Sequence, residues 1–217
     1  DGDRGNLVIW DESICRTRAL EAQEVFSLCL VAELAHALYM EGAAREGVLE
    51  TTLVRQAIAI NDPTSLRADR IAKAFGAKVF RAEVGEANVV NLARRLRDEG
   101  YTVRILGEGA AGGNITHPSA VRDPLNTIFA LLKLLCIRST GKGPGLFELW
   151  CRVCGKEDLY RPDFSLADII ASLPRVATTA VYEDRALLKT KSKDQAALKA
   201  RFEIIFKRDW ELRKGDL

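Results

Sequence analysis

Blocks of hydrophobic and polar positions switch along the chain between a strand-like and a helix-like period. The apolar run at residues 7–10 predicts a strand. From residue 19 to residue 40, apolar side chains recur at three- and four-residue steps, which predicts an amphipathic helix of several turns. Residues 53–60 contain β-branched side chains and predict a second strand, which stops at Asn61-Asp62-Pro63 because proline bars further pairing.

The same alternation continues to residue 135. The predicted order is helix, strand, helix, strand, loop and helix, at residues 66–75, 78–82, 87–99, 101–106, 107–114 and 123–135. Thr64 or Ser65 is placed to cap the first of these helices, which Gly76 closes, and Gly100 closes the next. The pattern predicts an α/β protein in which a layered mixed sheet has helices on both faces.

The last third of the chain reads mainly as helix. A flexible polar surface loop is predicted at residues 138–145, followed by helices at 146–153 and 165–171 and an exit at Pro174. Residues 176–182 are predicted to form a strand. A charged amphipathic helix at residues 195–210 has Phe202, Ile205 and Phe206 on one face and forms a helical C-terminal extension.

Composition restricts the class of protein. With 217 residues, 47% of them hydrophobic, the chain can bury a sizeable core. A net charge of +2 gives no long-range field that would favour nucleic acid or an anionic membrane as a partner. Five cysteines without the spacing of a secreted scaffold indicate a reducing cytoplasm. There is no apolar run of the ~18 residues that span a bilayer and no signal peptide.

The candidate ligand site with the strongest pattern is the loop at residues 107–114, which has four glycines and one carboxylate, Glu108. Glycines relieve the side-chain crowding that keeps a backbone away from a bound molecule. A strand that ends in such a turn is a usual ligand site of an α/β protein. The residues Cys151 and Cys154 have CxxC spacing, but they lack a second pair and are interpreted as cysteines of a helical core.

A second candidate site is Asp1-Gly2-Asp3-Arg4, where two carboxylates stand one residue apart on a glycine turn before a strand. Magnesium prefers oxygen ligands, commonly carboxylates together with a substrate phosphate. Asp1 and Asp3 are therefore candidate Mg²⁺ ligands, and Arg4 is a candidate to hold the loop or meet a phosphate. The alternative interpretation is a solvated turn.

In order and spacing, these motifs resemble those of the α-D-phosphohexomutases, the phosphoglucomutase and phosphomannomutase superfamily. Asp1-Gly2-Asp3-Arg4 is similar to the end of the family's metal loop, and Gly107-Glu108 through Gly112-Gly113 is similar to its sugar-recognition loop. The further resembling segments are Asn61-Asp62-Pro63-Thr64-Ser65-Leu66-Arg67, Val84-Gly85-Glu86-Ala87-Asn88-Val89, Arg122-Asp123-Pro124-Leu125 and the stretch from Ser165-Leu166 to Leu173-Pro174.

The resemblance implies roles for particular residues. Asp1 and Asp3 would bind the metal, and Arg4, Gly85, Glu108 and Gly112 would bind substrate. Where the family's sugar loop has serine, this chain has Ala110 or Ala111. In the loop at Gly85, Glu86 replaces the usual basic or histidine contact and is expected to face water or a neighbouring lysine.

The resemblance also implies a domain organisation and a reaction. Residues 1–45 would be the end of domain 2, residues 46–182 the sugar-recognition domain 3, and residues 183–217 a helical linker toward an absent domain 4. The parent enzyme would interconvert hexose 1-phosphate and 6-phosphate through a phosphoserine and a bisphosphate intermediate. Its partners would be the hexose phosphate and the remaining domains of the same chain. No phosphoserine loop is found in the 217 residues, so this piece is expected to be inactive by itself.

Two other functions stay open on the sequence. One is a Mg²⁺-dependent phosphatase with Asp1 or Asp3 as nucleophile, for which a matching lysine and further acids are not evident. The other is a non-catalytic sugar-phosphate-binding or regulatory module with the mutase fold, which the alanines in the sugar loop favour. The coding sequence upstream of Asp1 would discriminate between the enzyme and the module.

Overall fold

A four-stranded sheet lies at the centre of the fold in the computed structural model, which describes residues 2–12, 14–41, 55–141, 143–177, 184, 187, 189–191 and 193–215. The chain divides into two compact units, Asp1–Val176 and Ala177–Leu217. The central sheet and the candidate sites belong to the first unit.

The sheet is mixed, as the sequence predicts. Its strands are β3 (Ala57–Asn61), β4 (Lys78–Ala82), β5 (Ile105–Glu108) and β6 (Gly113–Thr116). They lie in the order β4-β3-β5-β6, with the first three parallel and β6 antiparallel to β5. The loop predicted at residues 107–114 is thus largely a tight hairpin, whose turn at Gly109–Ala111 is a 3₁₀ helix. The hydrophobic pattern does not reveal β6 because this strand is short and begins with a glycine.

Helices cover both faces of this sheet, which confirms the predicted layers. The helices of the first unit are α1 (Ala22–Met40), α2 (Arg67–Ala74), α3 (Glu86–Asp98), α4 (Pro124–Cys136), α5 (Leu146–Val153) and α6 (Leu166–Ser172). Alternate strand residues separate the two layers: Ile58, Ile60 and Ile105 pack in the core cluster with α1 and α2. Ala57, Ala59 and Leu106 pack in a smaller cluster with α3.

Helix α1 is not amphipathic, so that prediction is wrong. Residues 25–35 are all buried, including Ser27 and Glu33. The sheet is on one side of the helix, and α2, α4 and α5 also contact it. A helix that is enclosed in this way needs apolar side chains around its whole circumference, and the three- and four-residue steps seen in the sequence are one part of that coverage.

The predicted helix ends are close to those observed, but one cap differs. Gly76 and Gly100 follow α2 and α3 in left-handed conformations, with φ of 71° and 83°. The N-cap of α2 is Leu66, without a side-chain cap, although Ser65 Oγ accepts a hydrogen bond from the Arg67 amide at 3.2 Å. Thr64 does not cap this helix.

The remaining elements are peripheral. The predicted first strand is β1 (Val8–Asp11), and it pairs with β2 (Arg16–Ala19), which the apolar pattern did not reveal because three of its four residues are polar. Within the predicted polar loop, Thr140 and Gly143 pair through two backbone hydrogen bonds of 3.0 Å. The predicted strand at residues 176–182 falls largely outside the described residues.

The second unit contains α7 (Gln195–Arg213), which confirms the predicted helical extension. Phe202 and Phe206 stack on each other along this helix, with ring centroids 5.9 Å apart, and both are exposed. Among the helices of the described residues, none combines the length and the apolar character that crossing a membrane requires.

A buried carboxylate joins two helices of the core and the residue before β5. The side chain of Glu33 on α1 is 1% exposed, and it forms ion pairs with Lys133 of α4 and with Arg104, whose Nη2 lies 3.4 Å away. Arg104 Nη2 also lies 3.2 Å from His36 Nδ1. Burial, Lys133 and Arg104 lower the pKa of His36. The cluster holds α1 and α4 together next to β5.

We expect Lys133→Met to destabilise the protein by about 3 kcal/mol, because it leaves the buried Glu33 charge with a single partner. Urea unfolding measures this change. Lys73→Met is the matched control, since Lys73 is exposed on α2 and its loss should change the free energy of unfolding by only about 0.5 kcal/mol. Equal effects of the two substitutions would contradict the proposed role of the cluster.

Candidate functional site

Three segments singled out in the sequence meet at one arginine. Arg122 lies between β6 and α4, and its side chain is 17% exposed. Its guanidinium lies 2.9 Å from Asp3 Oδ2, 2.6 Å from Glu86 Oε2 and 3.7 Å from Glu108 Oε2. One side chain therefore joins the metal-loop motif (residues 1–4), the loop at Gly85 and the sugar-loop motif (residues 107–113).

The two carboxylate oxygens of Glu108 have different partners. Oε1 accepts hydrogen bonds from Asn61 Nδ2 at 3.1 Å and from the Gly85 amide at 2.8 Å. Oε2 lies beyond hydrogen-bonding distance of Arg122 and accepts no hydrogen bond that is identified within the described residues. The acid is buried, with only 6% of its surface exposed, although it lies at the start of a turn. One oxygen is fixed and the other has lone pairs for a ligand hydroxyl.

The carboxyl ends of the three parallel strands explain this arrangement. Strand β3 ends at Asn61, β4 leads into the loop at Gly85, and β5 ends at Glu108. Parallel strands place these ends at the same edge of the sheet, where α/β proteins commonly bind ligands. Groups that are far apart in the sequence, such as the Asn61 amide and the Glu108 carboxylate, therefore lie within hydrogen-bonding distance.

Thr64 connects the end of β3 to the sugar-loop motif. Its Oγ1 donates a hydrogen bond to Asn61 Oδ1 at 2.7 Å and accepts one from the Gly109 amide at 2.9 Å. Asn61 in turn donates to Glu108. This chain of hydrogen bonds orients the Asn61 amide, so that its Nδ2 faces the carboxylate. Thr64 and Asn61 are 3% and 2% exposed, and burial protects the chain from competition with water.

The glycines of this segment make room mainly for the protein itself, which corrects the sequence-based interpretation that they clear space for a ligand. A Cβ at Gly107 would overlap the Gly113 carbonyl oxygen and lie 3.0 Å from the Phe26 ring. A Cβ at Gly109 would lie 2.9 Å from both Gln23 and Thr64. Helix α1 therefore packs directly on the turn. Close packing fixes the position of the intervening Glu108.

Both of the predicted substrate-binding glycines have positive φ. Gly112 is left-handed at φ 73° and ends the 3₁₀ turn, while Gly85 has φ 130° at the N-terminus of α3. The Gly85 amide contacts Glu108, as described above. Gly112 contributes to the backbone path of the turn, and its position has space for a methyl group, with Ala22 Cβ 3.6 Å away.

The metal-loop motif is only partly within the described residues, because Asp1 lies outside them. Asp3 pairs with Arg122, and its Oδ1 is buried without a hydrogen bond, 3.8 Å from Arg4 Nε. A carboxylate oxygen without a hydrogen bond is suited to bind a cation, but one carboxylate between two guanidiniums does not by itself form a magnesium site. No cluster of three acidic, cysteine or histidine side chains suited to a metal occurs in the described part of the chain. Arg4 is half-exposed.

The structure differs from the sequence-based predictions at several residues around the site. Glu86 pairs with an arginine rather than facing water or a lysine. Arg122, Asn61 and Thr64 were not predicted as site residues. Their only sequence signal is that they lie in motifs that resemble the family, since periodicity does not report which polar side chains meet at a sheet edge.

The CxxC pair lies at the end of α5, as the core interpretation predicts for its first member. Cys151 is buried, and burial raises the pKa of its thiol to about 12. Cys154, in the C-cap position, is half-buried, and burial also raises the pKa of its thiol. Neither thiol is activated as a metal ligand or nucleophile.

Comparison with known proteins identifies one family. The family model described as phosphoglucomutase/phosphomannomutase, alpha/beta/alpha domain III, matches residues 34–148. No curated protein sequence matches the chain. Among solved structures, a protein assigned as a phosphomannomutase from Thermus thermophilus is 18% identical, with a TM-score of 0.43. That match covers 72% of this chain, and this chain spans 29% of the length of that protein.

Replacing Gly107 by alanine should destabilise the protein by about 3 kcal/mol, because the new methyl group overlaps the backbone of the facing strand. Gly112→Ala is the matched control. It has space for the methyl group and only the left-handed backbone cost of about 1–2 kcal/mol. Urea midpoints of the two variants measure the difference, and a smaller loss for Gly107→Ala would contradict the close packing of α1 on the turn.

Arg122→Met should destabilise the protein by about 3 kcal/mol, because three carboxylates that share one guanidinium lose it together. Arg122→Lys should cost less, since it keeps the charge but not the planar set of donors. The control is Arg152→Met, which removes a single pair with Glu148 on α5 and should cost at most about 1 kcal/mol. Similar unfolding free energies for Arg122→Met and Arg152→Met would remove Arg122 from its central role.

Proposed function

The chain belongs to the phosphoglucomutase/phosphomannomutase family, and on that premise we propose that it is the sugar-recognition part of a phosphohexomutase. The parent protein is proposed to be an isomerase of carbohydrate metabolism that interconverts hexose 1-phosphate and hexose 6-phosphate through a phosphoserine and a bisphosphate intermediate. The present residues supply the sugar-recognition loop and part of the magnesium site. The phosphoserine belongs to another part of the parent.

The observation that supports this proposal most directly is that the two oxygens of the Glu108 carboxylate have different partners. Oε1 is held by Asn61 and Gly85, whereas Oε2 has no hydrogen bond that is identified within the described residues. Because Oε1 is held in place, the position of Oε2 is also defined, and Oε2 can accept a charge-assisted hydrogen bond from a sugar hydroxyl, which discriminates strongly against a misplaced hydroxyl. Because α1 packs on the turn, binding needs little rearrangement of the carboxylate.

The reaction requires the same carboxylate to serve two orientations of the sugar. In either orientation, Glu108 Oε2 accepts a hydrogen bond from a sugar hydroxyl without taking its proton, and Arg122 stays close enough to limit the charge repulsion among the three acids. Gly85 and Gly112 place the backbone of the two loops against the sugar, and Arg4 is proposed to approach the phosphate. Asp1 and Asp3 are the proposed ligands that would hold Mg²⁺, and the ion would supply positive charge to offset that of the phosphoryl oxygens.

We divide the chain into residues 1–45, from the end of domain 2, residues 46–182, forming domain 3, and residues 183–217, leading toward domain 4. The proposed partners are a hexose phosphate and the other domains of the parent, with neither nucleic acid nor membrane. A cytoplasmic location is supported by the five cysteines, all of which are unpaired.

A second candidate function is a non-catalytic module that binds sugar phosphates. It is favoured by Ala110 and Ala111, which replace the serine of the family's sugar loop. Both alanines are half-buried in the turn and supply no hydroxyl for a ligand. Recognition would then depend on Glu108 without the serine, whether or not a catalytic parent exists.

We expect Glu108→Gln to weaken binding of glucose 1-phosphate or mannose 1-phosphate by at least about tenfold, the loss expected when one charge-assisted hydrogen bond is weakened. Calorimetric titration of the full-length parent and of this chain measures the affinity. Glu99→Gln, on the exposed surface after α3, is the control and should bind like the wild type. Unchanged affinity in Glu108→Gln, with an unchanged unfolding midpoint, would remove Glu108 from the site.

A mutase assay on the same samples separates the two candidate functions. The chain alone is expected to bind without turnover, whereas the parent enzyme turns over. Turnover by these 217 residues alone would contradict the proposed division of the protein. Sugar-phosphate binding by a full-length protein that shows no turnover would favour the module.

A further inference from the structure

A basic cleft of about 820 Å³ lies between α2, α5 and the segment that follows α6. All four charged residues that line it are cations: Arg70, Lys73, Lys156 and Arg175. Its apolar wall includes Trp150 and Leu173. The volume falls within the range of small-molecule sites in proteins. For a chain with a net charge of only +2, this is a local concentration of one sign of charge.

The charge in the cleft is not balanced by acids. Among the described residues, none of the four cations forms an ion pair, whereas Arg152 and Arg161 pair with Glu148 and Asp168. Arg70 donates to the Arg175 carbonyl at 2.9 Å, and Lys156 donates to the Ser172 carbonyl at 3.2 Å. Each of these bonds uses one donor of a side chain that has several.

The helix dipole explains part of this concentration of positive charge. Helices α2, α5 and α6 all end near the cleft, and cations are favoured beside the partial negative charge of helix C-termini. That effect accounts for Lys73, which lies in the last turn of α2. It does not account for Arg175, which lies beyond α6 and whose side chain forms no hydrogen bond or ion pair that is identified within the described residues. A ligand of opposite charge would balance the remaining cations.

The cleft is separate from the site at Glu108. The segment before α2 contacts the sugar-loop motif through Thr64, whereas the last turn of α2 lines the cleft. The eight residues of α2 put about 12 Å between these ends. A ligand in the cleft therefore lies outside the function proposed above.

We propose that this cleft binds a small organic phosphate with at least two negative charges. Guanidinium and ammonium groups are the usual protein ligands of phosphate oxygens. Lys73 and Arg175 contact the phosphate groups, and the apolar wall at Leu173 covers the organic part of the ligand. Arg70 and Lys156 hold the segment at Arg175 in place through its backbone and add positive charge.

Calorimetric titration of the full chain with ATP and with pyrophosphate tests the proposal. The double variant Lys73→Glu/Arg175→Glu should weaken both affinities by at least about tenfold, as expected for the loss of two charged contacts. Arg95→Glu is the matched control, because Arg95 is also an exposed cation in the last turn of a helix, α3. Its affinity should stay within about twofold of the wild type.

Glu108→Gln distinguishes the cleft from the sugar site. Pyrophosphate has no sugar hydroxyl, so its affinity should not change in this variant even though sugar-phosphate binding does. Loss of pyrophosphate binding in Glu108→Gln, or retention of it in Lys73→Glu/Arg175→Glu, would place the anion elsewhere and overturn the proposal. Absence of saturable binding of both anions by the wild type would overturn it too, as would tighter binding of poly-glutamate, which would indicate a protein partner.

Discussion

The ion pairs of Arg122 set the constraint on which the candidate site depends. Asp3, Glu86 and Glu108 come from three separate segments, and their carboxylates would repel one another at this distance without a cation between them. The guanidinium is suited to this position because it is planar and always charged, with five donors that point in fixed directions. Arg122 is followed at once by Asp123, which caps α4, so the backbone of the arginine is anchored to a helix that itself packs on α1.

The burial of α1 has a direct consequence for recognition. Because this helix contacts the turn at Gly109–Ala111, the sugar-loop motif packs directly on a core element. The glycines at 107 and 109 allow that contact, and Thr64 ties the turn to the end of β3. Rigid support of this kind lowers the ordering cost of binding. The candidate site therefore lies on a turn, but its side chains are held as firmly as those of a helix or strand.

The sequence predicted the α/β layers and most helices, and it singled out Glu108, which the structure places in contact with Asn61, Gly85 and Arg122. These features depend on hydrophobic period, on glycine and proline positions and on motifs that resemble a family. It failed for β2 and β6, which are short and polar or begin with glycine, and for α1, since periodicity cannot show that a helix is enclosed on every side. It also failed for Arg122. An arginine before a helix is ordinary in sequence, and only the meeting of three loops in space gives it a role.

Under the proposed function, the alanines at positions 110 and 111 bear on what the site would recognise. In this chain Glu108 is oriented by Asn61, Gly85 and Arg122, and none of those contacts passes through Ala110 or Ala111. The orientation of the carboxylate is therefore independent of the missing hydroxyl. A ligand that depends on the acid alone would still be bound, while discrimination between sugars that differ at the position read by the serine would weaken. Under the proposed function, alanine in place of the serine would therefore alter selectivity before it alters binding, because the two properties would depend on different atoms of the same turn.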